Sequence, residues 1–396
     1  MNTILIDFKE NWLNLLPLSF TRPISKFRIG IFTINEKWEK YLNTECSFLT
    51  EDYLSKKYPV IIEDHNLIIN SIILPDKSLA GIITKLDQND ILLSGDIFLA
   101  AKVSAAAIEK IRNQDLTGFQ QIQYTGELFS IKKNWDIFLQ NAAEIKKDVE
   151  LIRFNDRSQN ISTTNTIIGN PNDLIIEEGV TAECAIFNVT DGPIYIGKHS
   201  LIMEGAMLKG PIAIGEHSMV KMGAKIYQGT TIGPHCRAGG EINNSVLFGY
   251  TNKSHDGFLG QAVLGEWCNI GADTNNSNLK NNYDEVKVWN YKEKSFVGTG
   301  LIFCGLFMGD HSKCAINTMF NTGTTVGVGA NIFGNGFPRT FIPSFSWGGP
   351  AGFIDYDIDK ALETARTVMG RRNIELDKKE ENILRTIFDQ TKEFRK

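Results

Sequence analysis

From Ile196 onward an aliphatic residue recurs at every sixth position, through Ile202, Leu208, Ile214, Val220, Ile226 and Ile232, without a slip. A helix repeats near 3.6 residues and a flat strand near 2, so neither fits this spacing. Three sides of this length close a coil of about 18 residues, with each aliphatic side chain directed into the stack and neighbouring coils pairing as parallel strands. A second register runs through Ile302, Met308, Cys314, Phe320, Val326 and Ile332, and shorter ones lie at Leu174, Val180, Ile186 and at Leu264, Ile270. Glycine follows the same boundaries, with 28 of the 35 between Thr166 and Pro350. Many come directly after the aliphatic residue, as in Ile214-Gly215 and Ile232-Gly233, where a tight corner favours a residue without Cβ.

The repeat is broken twice. Ile232 and Leu264 are 32 positions apart, and Ile270 and Phe296 are 26 apart, so extra residues are expected to leave the coil as loops. Loops on a rigid stack are where chemistry is usually placed. These hold the densest polar cluster of the chain: Asn252-Lys253-Ser254-His255-Asp256, Asp273 to Asn278, and Asn281 to Asp284. An amine attacking a thioester must give up a proton, and an imidazole is the side chain suited to take it near neutrality. His255 is the candidate base, with Lys253 beside it. His199, His217 and His235 follow repeat positions and read as surface residues; His65 and His311 receive no role.

The period itself resembles the hexapeptide-repeat acyltransferases, whose fold is a left-handed parallel β-helix and whose usual state is a trimer. The stretch Lys253 to Gly260, then Val263-Leu264-Gly265-Glu266, then Asn269-Ile270-Gly271-Ala272 is similar to the acetyltransferase half of the bifunctional N-acetylglucosamine-1-phosphate uridyltransferase/glucosamine-1-phosphate acetyltransferase family. That resemblance implies His255 as general base. It places Asn269, Asn278 and Ala272 against the sugar and the acetyl donor, which would be acetyl-coenzyme A. Three positions depart from the family. Phe258 stands for its tyrosine, and Tyr227 and Asn243 stand for the arginine and lysine that grip the sugar phosphate. Two charge-assisted bonds, each worth about 1.5–3 kcal/mol, would be lost. Lys221, Lys225, Lys253, Arg237 and Lys287 are the candidate replacements.

Residues 1–165 alternate short apolar runs with polar segments: Ile4-Leu5-Ile6, Ile29 to Phe32, Val60-Ile61-Ile62, Ile72-Ile73-Leu74 and Ile91-Leu92-Leu93. Such runs suit strands buried on both faces, and Ala101 to Arg112 reads as an intervening helix, giving an α/β domain. Ile91 to Asp96 delivers a carboxylate at a strand end, where Mg²⁺ is held against phosphates in open α/β sheets. Sugar nucleotidyltransferases carry such a Gly-Asp, so the resemblance makes Asp96 the metal ligand. Their glycine-rich phosphate loop is missing. In its place Thr21-Arg22-Pro23 with Lys26 and Arg28 brings three cations together, and the stretch from Leu16 to Pro23 resembles a shortened nucleotidyltransferase domain fused to the same β-helix.

Beyond the repeats, Phe337 to Pro350 reads as an extended strap, and 351–396 as an amphipathic helical tail spaced by Ile358, Leu362, Ala365, Met369, Ile383, Leu384, Ile387 and Phe388. With 41 basic and 46 acidic residues there is no surface suited to nucleic acid, and no apolar window long enough for a membrane span; the expected location is cytoplasmic. The six cysteines lack metal-ligand spacing and are expected to be reduced. The chain is thus expected to comprise a nucleotidyltransferase-like domain over 1–165, a β-helix acyltransferase domain over 166–350 and the tail. It would serve sugar phosphate, nucleoside triphosphate and acetyl-coenzyme A.

Overall fold

The computed structural model describes residues 2–153 and 159–395. The chain divides into two compact units, Met1–Phe27 with Phe32–Lys133, and Arg28–Ile31 with Asn134–Lys396.

The first unit is an α/β layer. Strands β1 (Asn2–Ile6), β2 (Cys46–Leu49), β3 (His65–Asn70), β4 (Asp90–Ser94), β5 (Ile97–Ser104) and β6 (Gln120–Gln123) form one sheet in the order β2-β1-β3-β5-β4-β6. Only β5 runs against its neighbours, so β1, β2, β3, β4 and β6 end along a common edge. Helices α1 (Lys9–Asn14), α2 (Ile34–Leu42), α3 (Lys77–Ile83) and α4 (Ile108–Arg112) complete the unit. Ile4, Leu5, Ile6, Ile68, Ile91 and Leu92 have no exposed surface, as a strand covered on both faces requires.

Four local expectations change. Ile72-Ile73-Leu74 forms no strand and contributes only an isolated bridge from Ile73 to Ser130. Val60-Ile61-Ile62 is a connector with Ile61 57% exposed, and the strand is the following segment at Leu67-Ile68-Ile69. Ile29 to Phe32 is not a strand. The helix expected from Ala101 is strand until Ser104, because Ala101 and Val103 pair with Ile68 and Asn66. Sheet pairing at a fully buried position outweighs the helix preference of alanine.

The second unit contains the expected left-handed parallel β-helix. Its three faces hold six, nine and ten strands, starting at Thr166–Ile168, Leu174–Ile176 and Thr181–Ala182. Residues from Ile196 to Ile232 in the first register are at most 1% exposed and fill the prism. Met308 to Ile332 continue the interior, but Ile302 is 46% exposed and lies outside the coil. The expected strap is the last coil: Phe341–Ile342 extends the nine-strand face and Ser346–Gly349 the ten-strand face. An antiparallel strand, Gly352–Asp355, then covers the end of that face.

The two phase breaks have different causes. Thr231 pairs with Val246, 15 residues on, and Val246 with Val263, 17 on, against 18 for Ala213 and Thr231. The first break therefore consists of two shortened coils, and no loop leaves there. Val263 pairs with Phe307, 44 residues on, so the second break is a true insertion carrying the hairpin Lys287–Asn290 and Ser295–Gly298.

Helix α5 (Asn134–Arg153) is grouped with this unit, although the sequence reading placed the boundary near residue 165. Asn141 Nδ2 donates to Gly229 O at 2.7 Å and Thr231 Oγ1 at 3.0 Å, and Phe138 stacks on Phe307. Helices α6 (Ile358–Gly370) and α7 (Lys378–Gln390) form the tail and bury Leu362, Ala365, Met369, Ile383, Leu384 and Ile387. Cys236, Cys268, Cys304 and Cys314 are buried and unbridged.

One corner of the prism carries a ladder of rings: His199, His217, His235, Tyr250, Trp267 and His311, with centroids 5.1, 5.0, 4.7, 4.2 and 6.3 Å apart in turn. Each has a positive φ between 54° and 61°, a conformation uncommon outside glycine, and stacking on the next ring offsets its cost. His199 and His217 face solvent as expected, while His235 is partly covered. Burial, then the neighbouring His217, lowers the pKa of His235 from 6.5. The unfolded chain then takes up this proton more readily, so stability is present above pH 6.5 and is lost as pH falls below it. On acidification from neutrality the melting temperature of the wild type should drop a few degrees more than that of His235→Phe, which keeps the stack and does not titrate.

Candidate active site

The short coils of the first break meet at one corner between the ten-strand and six-strand faces. Four residues, Lys221 to Ala224, turn this corner in one coil, and only Gly239-Gly240 turns it in the next. The coil after that again uses four, Ser254 to Gly257. Arg237 pairs with Asn252 and Glu241 with Phe258, so His255 and Asp256 are left without counterparts beneath them. They stand over a notch. The diglycine is needed for close approach, since a Cβ on Gly239 would lie 2.1 Å from Ser254 O and one on Gly240 2.8 Å from Gly257 O. His255 is exposed at the lip, and its ring has no hydrogen-bond partner among the described residues.

Lys253 is the group that sequence reasoning misplaced. It sits in register with Ala238, at an inward position, and is 1% exposed. Its Nζ donates to Gly239 O at 2.9 Å, His255 O at 2.5 Å and Asp256 O at 3.5 Å. Burial lowers its pKa from 10.5 to about 8, against the opposing pull of Asp256. Sealed in the prism, it reaches neither a substrate phosphate nor the reacting atoms.

The remaining residues gather by register. Asn269 Oδ1 accepts from Asn252 Nδ2 at 2.7 Å, and Asn252 Oδ1 accepts from Ser254 Oγ, giving a polar chain on the ten-strand face that ends beside His255. Ala272 lies on the corner above, where Asp273 N donates to Asp256 O at 3.0 Å. On the six-strand face the Phe258 ring covers Gly260, and Phe258 N donates to Asn275 Oδ1 at 2.8 Å. Asn276 bonds both N and O of Gly260 at 2.9 Å, and Asn278 donates to Gln261. Part of the asparagine cluster is therefore structural, its amides standing in for strand pairing. Asn243 lies beside Gly260 one coil down and Tyr227 one further, 37% exposed. Neither is charged. Arg237, in register with Asn252, is exposed near Arg372, whose Nη2 donates to His235 O at 3.4 Å. Burial first, then Arg237, lowers the pKa of Arg372, and neither they nor Arg371 has a carboxylate partner among the described residues.

In the first unit Asp96 occupies the tight β4–β5 turn, exposed, on the edge where the parallel strands end. Its carboxylate makes no bond to the described residues. No cluster of three His, Cys, Asp or Glu able to hold a metal occurs among the described residues. One free carboxylate fits a hard cation that takes most of its oxygens from substrate phosphates and water. The three cations have different surroundings: Arg22 is 4% exposed, Lys26 Nζ lies 4.8 Å from the Phe48 ring, and Arg28 is grouped with the second unit, donating to Phe248 O and Ile31 O.

Asp7, just past β1, was not singled out from sequence. It accepts from Thr50 Oγ1 at 2.6 Å and from Ile24 N at 3.2 Å, and so fastens the segment after Arg22-Pro23 to the end of β1. Its signal was positional only: a lone carboxylate ending the first strand, where a glycine loop was sought.

Residues 3–157 match the profile of a family described as sugar nucleotidyl transferase. Over 119 residues, 30% of this chain and 24% of the relative, the sequence is 30% identical to the bifunctional protein GlmU of Methanocaldococcus jannaschii. Over 93 residues, 24% of this chain and 23% of the relative, it is 33% identical to a bifunctional sugar-1-phosphate nucleotidylyltransferase/acetyltransferase of Sulfurisphaera tokodaii. The chain spans about a quarter of the length of these curated relatives. Among solved structures, the polySia specific acetyltransferase NeuO aligns at 11% identity and TM-score 0.29, covering 52% of this chain and 94% of that one. A UDP-N-acetylglucosamine acyltransferase from Arabidopsis aligns at 14% and 0.25, covering 60% and 99%.

Asp7 provides a pH test of the first unit. Burial raises its pKa from 3.8 to about 6, so its contribution to stability is present below pH 3.8 and is lost as pH rises through about 6. That shift corresponds to at most about 3 kcal/mol at ~1.4 kcal/mol per pH unit. Between pH 4 and 7 the urea midpoint of the wild type should fall relative to that of Asp7→Asn, which stays neutral. Parallel curves for the two proteins would remove Asp7 from this role.

Proposed function

We infer that this chain, a sugar nucleotidyl transferase domain joined to a β-helix of the acyltransferase kind in the manner of the bifunctional GlmU-type proteins, carries out two successive steps of nucleotide-sugar synthesis. The β-helix acetylates glucosamine-1-phosphate with acetyl-coenzyme A. The first unit then couples N-acetylglucosamine-1-phosphate to UTP, giving UDP-N-acetylglucosamine and pyrophosphate. The observation that carries the reading is the exposed imidazole of His255 over the diglycine notch, flanked by the Asn269–Asn252–Ser254 chain.

In the first step the sugar amine attacks the thioester carbonyl and its proton passes to the His255 imidazole, which returns it to the departing thiolate. The C–N bond forms first, leaving an oxyanion on the former carbonyl, and collapse of that intermediate breaks the C–S bond. The Ser254 hydroxyl, whose one proton goes to Asn252 Oδ1, would turn from that bond to donate to the oxyanion. In the second step a phosphate oxygen of the sugar attacks the α-phosphorus of UTP and pyrophosphate departs. Mg²⁺ would be held by Asp96 with the substrate phosphates, neutralising charge; Lys26, the partly exposed cation of the group, would orient the triphosphate, whereas Arg22 is buried.

The absence of charge at Tyr227 and Asn243 favours a second reading, in which the accepted amino sugar is another one or its phosphate is gripped elsewhere. Arg237 supports the latter, an exposed cation in register with Asn252 and without an acidic partner among the described residues. The exposed Ile168, Ile186 and Met207 on the six-strand face are the surface on which a trimer would close.

The purified chain, run first in sedimentation equilibrium to count its subunits, separates these readings in two assays. Free thiol from acetyl-coenzyme A and glucosamine-1-phosphate should fall ~10²-fold or more in His255→Ala. Thiol release with a different amino sugar alone moves the assignment to the second reading, and none with any amino sugar rejects acetyl transfer. Pyrophosphate release from UTP and N-acetylglucosamine-1-phosphate should be abolished in Asp96→Asn with its melting temperature kept; unchanged release there rejects the metal role.

A further inference from the structure

The interior positions aligned with Lys253 in the coils below it are apolar. Val220 and Ala238 fill them, and the third coil places Lys253 in line with them, with 1% of its surface exposed. An ammonium taken from water must recover its hydrogen bonds inside or lose stability. Lys253 recovers them from carbonyls of two coils: Gly239 O below the notch, and His255 O and Asp256 O above it. Those last two carbonyls belong to the residues that have no strand counterpart beneath them. From above, the corner receives Asp273 N on Asp256 O; from below, the lysine supplies the bond that crosses to His255.

We propose that Lys253 is a positioning residue of the acyl-transfer site, its buried ammonium tying the His255–Asp256 corner across the notch to Gly239 and thereby fixing where the imidazole stands. This rests on the acetyl-transfer reading for its kinetic consequence, and on geometry alone for its effect on His255. Loss of the proton removes one of three N–H donors and the charge that draws the carbonyls in. The titratable groups facing the amine are Asp256 on its own corner, the Cys314 thiol two coils on and Asp273 on the next corner. Both carboxylates hold the proton on and burial works against them, so the cationic form prevails below about pH 8 and is lost above it.

The test uses the full chain and three proteins: wild type, Lys253→Met, which keeps the length without donors, and Asp256→Asn, which removes a carboxylate that favours the ammonium. The wild-type kcat for acetyl transfer should fall with an inflection near pH 8 while KM changes little. In Lys253→Met kcat should be at least ~10-fold lower at pH 7 and lack that inflection. In Asp256→Asn the inflection should move to lower pH. Nuclear magnetic resonance of the His255 ring supplies a readout that needs no activity: its resonances should inflect near pH 8 in the wild type and not in Lys253→Met. A folded Lys253→Met with the wild-type kcat and pH profile overturns the proposal. So does a wild-type His255 signal flat between pH 7 and 9, which decides the matter should Lys253→Met not fold. Absent acetyl transfer with the resonance behaviour intact would reject the acetyl-transfer reading and leave the positioning role standing.

Discussion

Backbone pairing from each coil to the next is the constraint on which the second unit depends. Amides such as Gly197 N and Gly215 N reach carbonyls one coil away at 2.7 Å, and hydroxyls in the row after the ring ladder add rungs, with Ser218 Oγ on Gly233 O at 2.7 Å and Ser312 Oγ on Gly327 O at 2.6 Å. Because that pairing is continuous, a change in coil length cannot be absorbed by drift. It must be taken up at one corner, which then stands proud of, or falls short of, its neighbour. The loss of two residues at Gly239-Gly240 and their return at His255-Asp256 is such a change, and it makes the notch.

Where pairing is lost, an ionisable group has been buried in its place. Lys253 bonds the unpaired carbonyls of its corner, and Asp7 bonds Ile24 N and Thr50 in the segment that replaces a glycine loop. Each takes a charge out of water against a cost that only near-complete hydrogen bonding offsets. Each accordingly has its pKa moved toward neutrality, the lysine down and the aspartate up. The ring ladder is a third device on the same scaffold: side chains at left-handed corners recover by stacking what the backbone conformation costs them.

Much of the fold was legible because burial repeats with the coil. A residue every sixth position must face one direction on each side, and every residue of the first register is inside. The end of the second register was also legible, whereas its start was not: Ile302 keeps the spacing but hangs in an inserted loop at 46% exposure. Among the strands of the first unit, Leu67-Ile68-Ile69 and Val60-Ile61-Ile62 are alike as apolar triplets, and only contact with β1 and β5 distinguishes the buried one. The position of His255 at a change of coil length could be read from the order of residues. The roles of Asn275 and Asn276 could not, since an amide that replaces strand pairing looks in sequence like one offered to a ligand.

The sequence by itself determined the three-sided stack, the place where its phase changes and the imidazole at that place, because period and register are properties of order along the chain. Only the tertiary structure decided that the first phase change is a deletion rather than a loop, that Lys253 points inward, and that Arg28 bonds Phe248 O of the β-helix. Those outcomes depend on which carbonyls and side chains meet across coils 15 to 44 residues apart, where the energy of burying a charge or pairing an amide is set by neighbours that local order does not name.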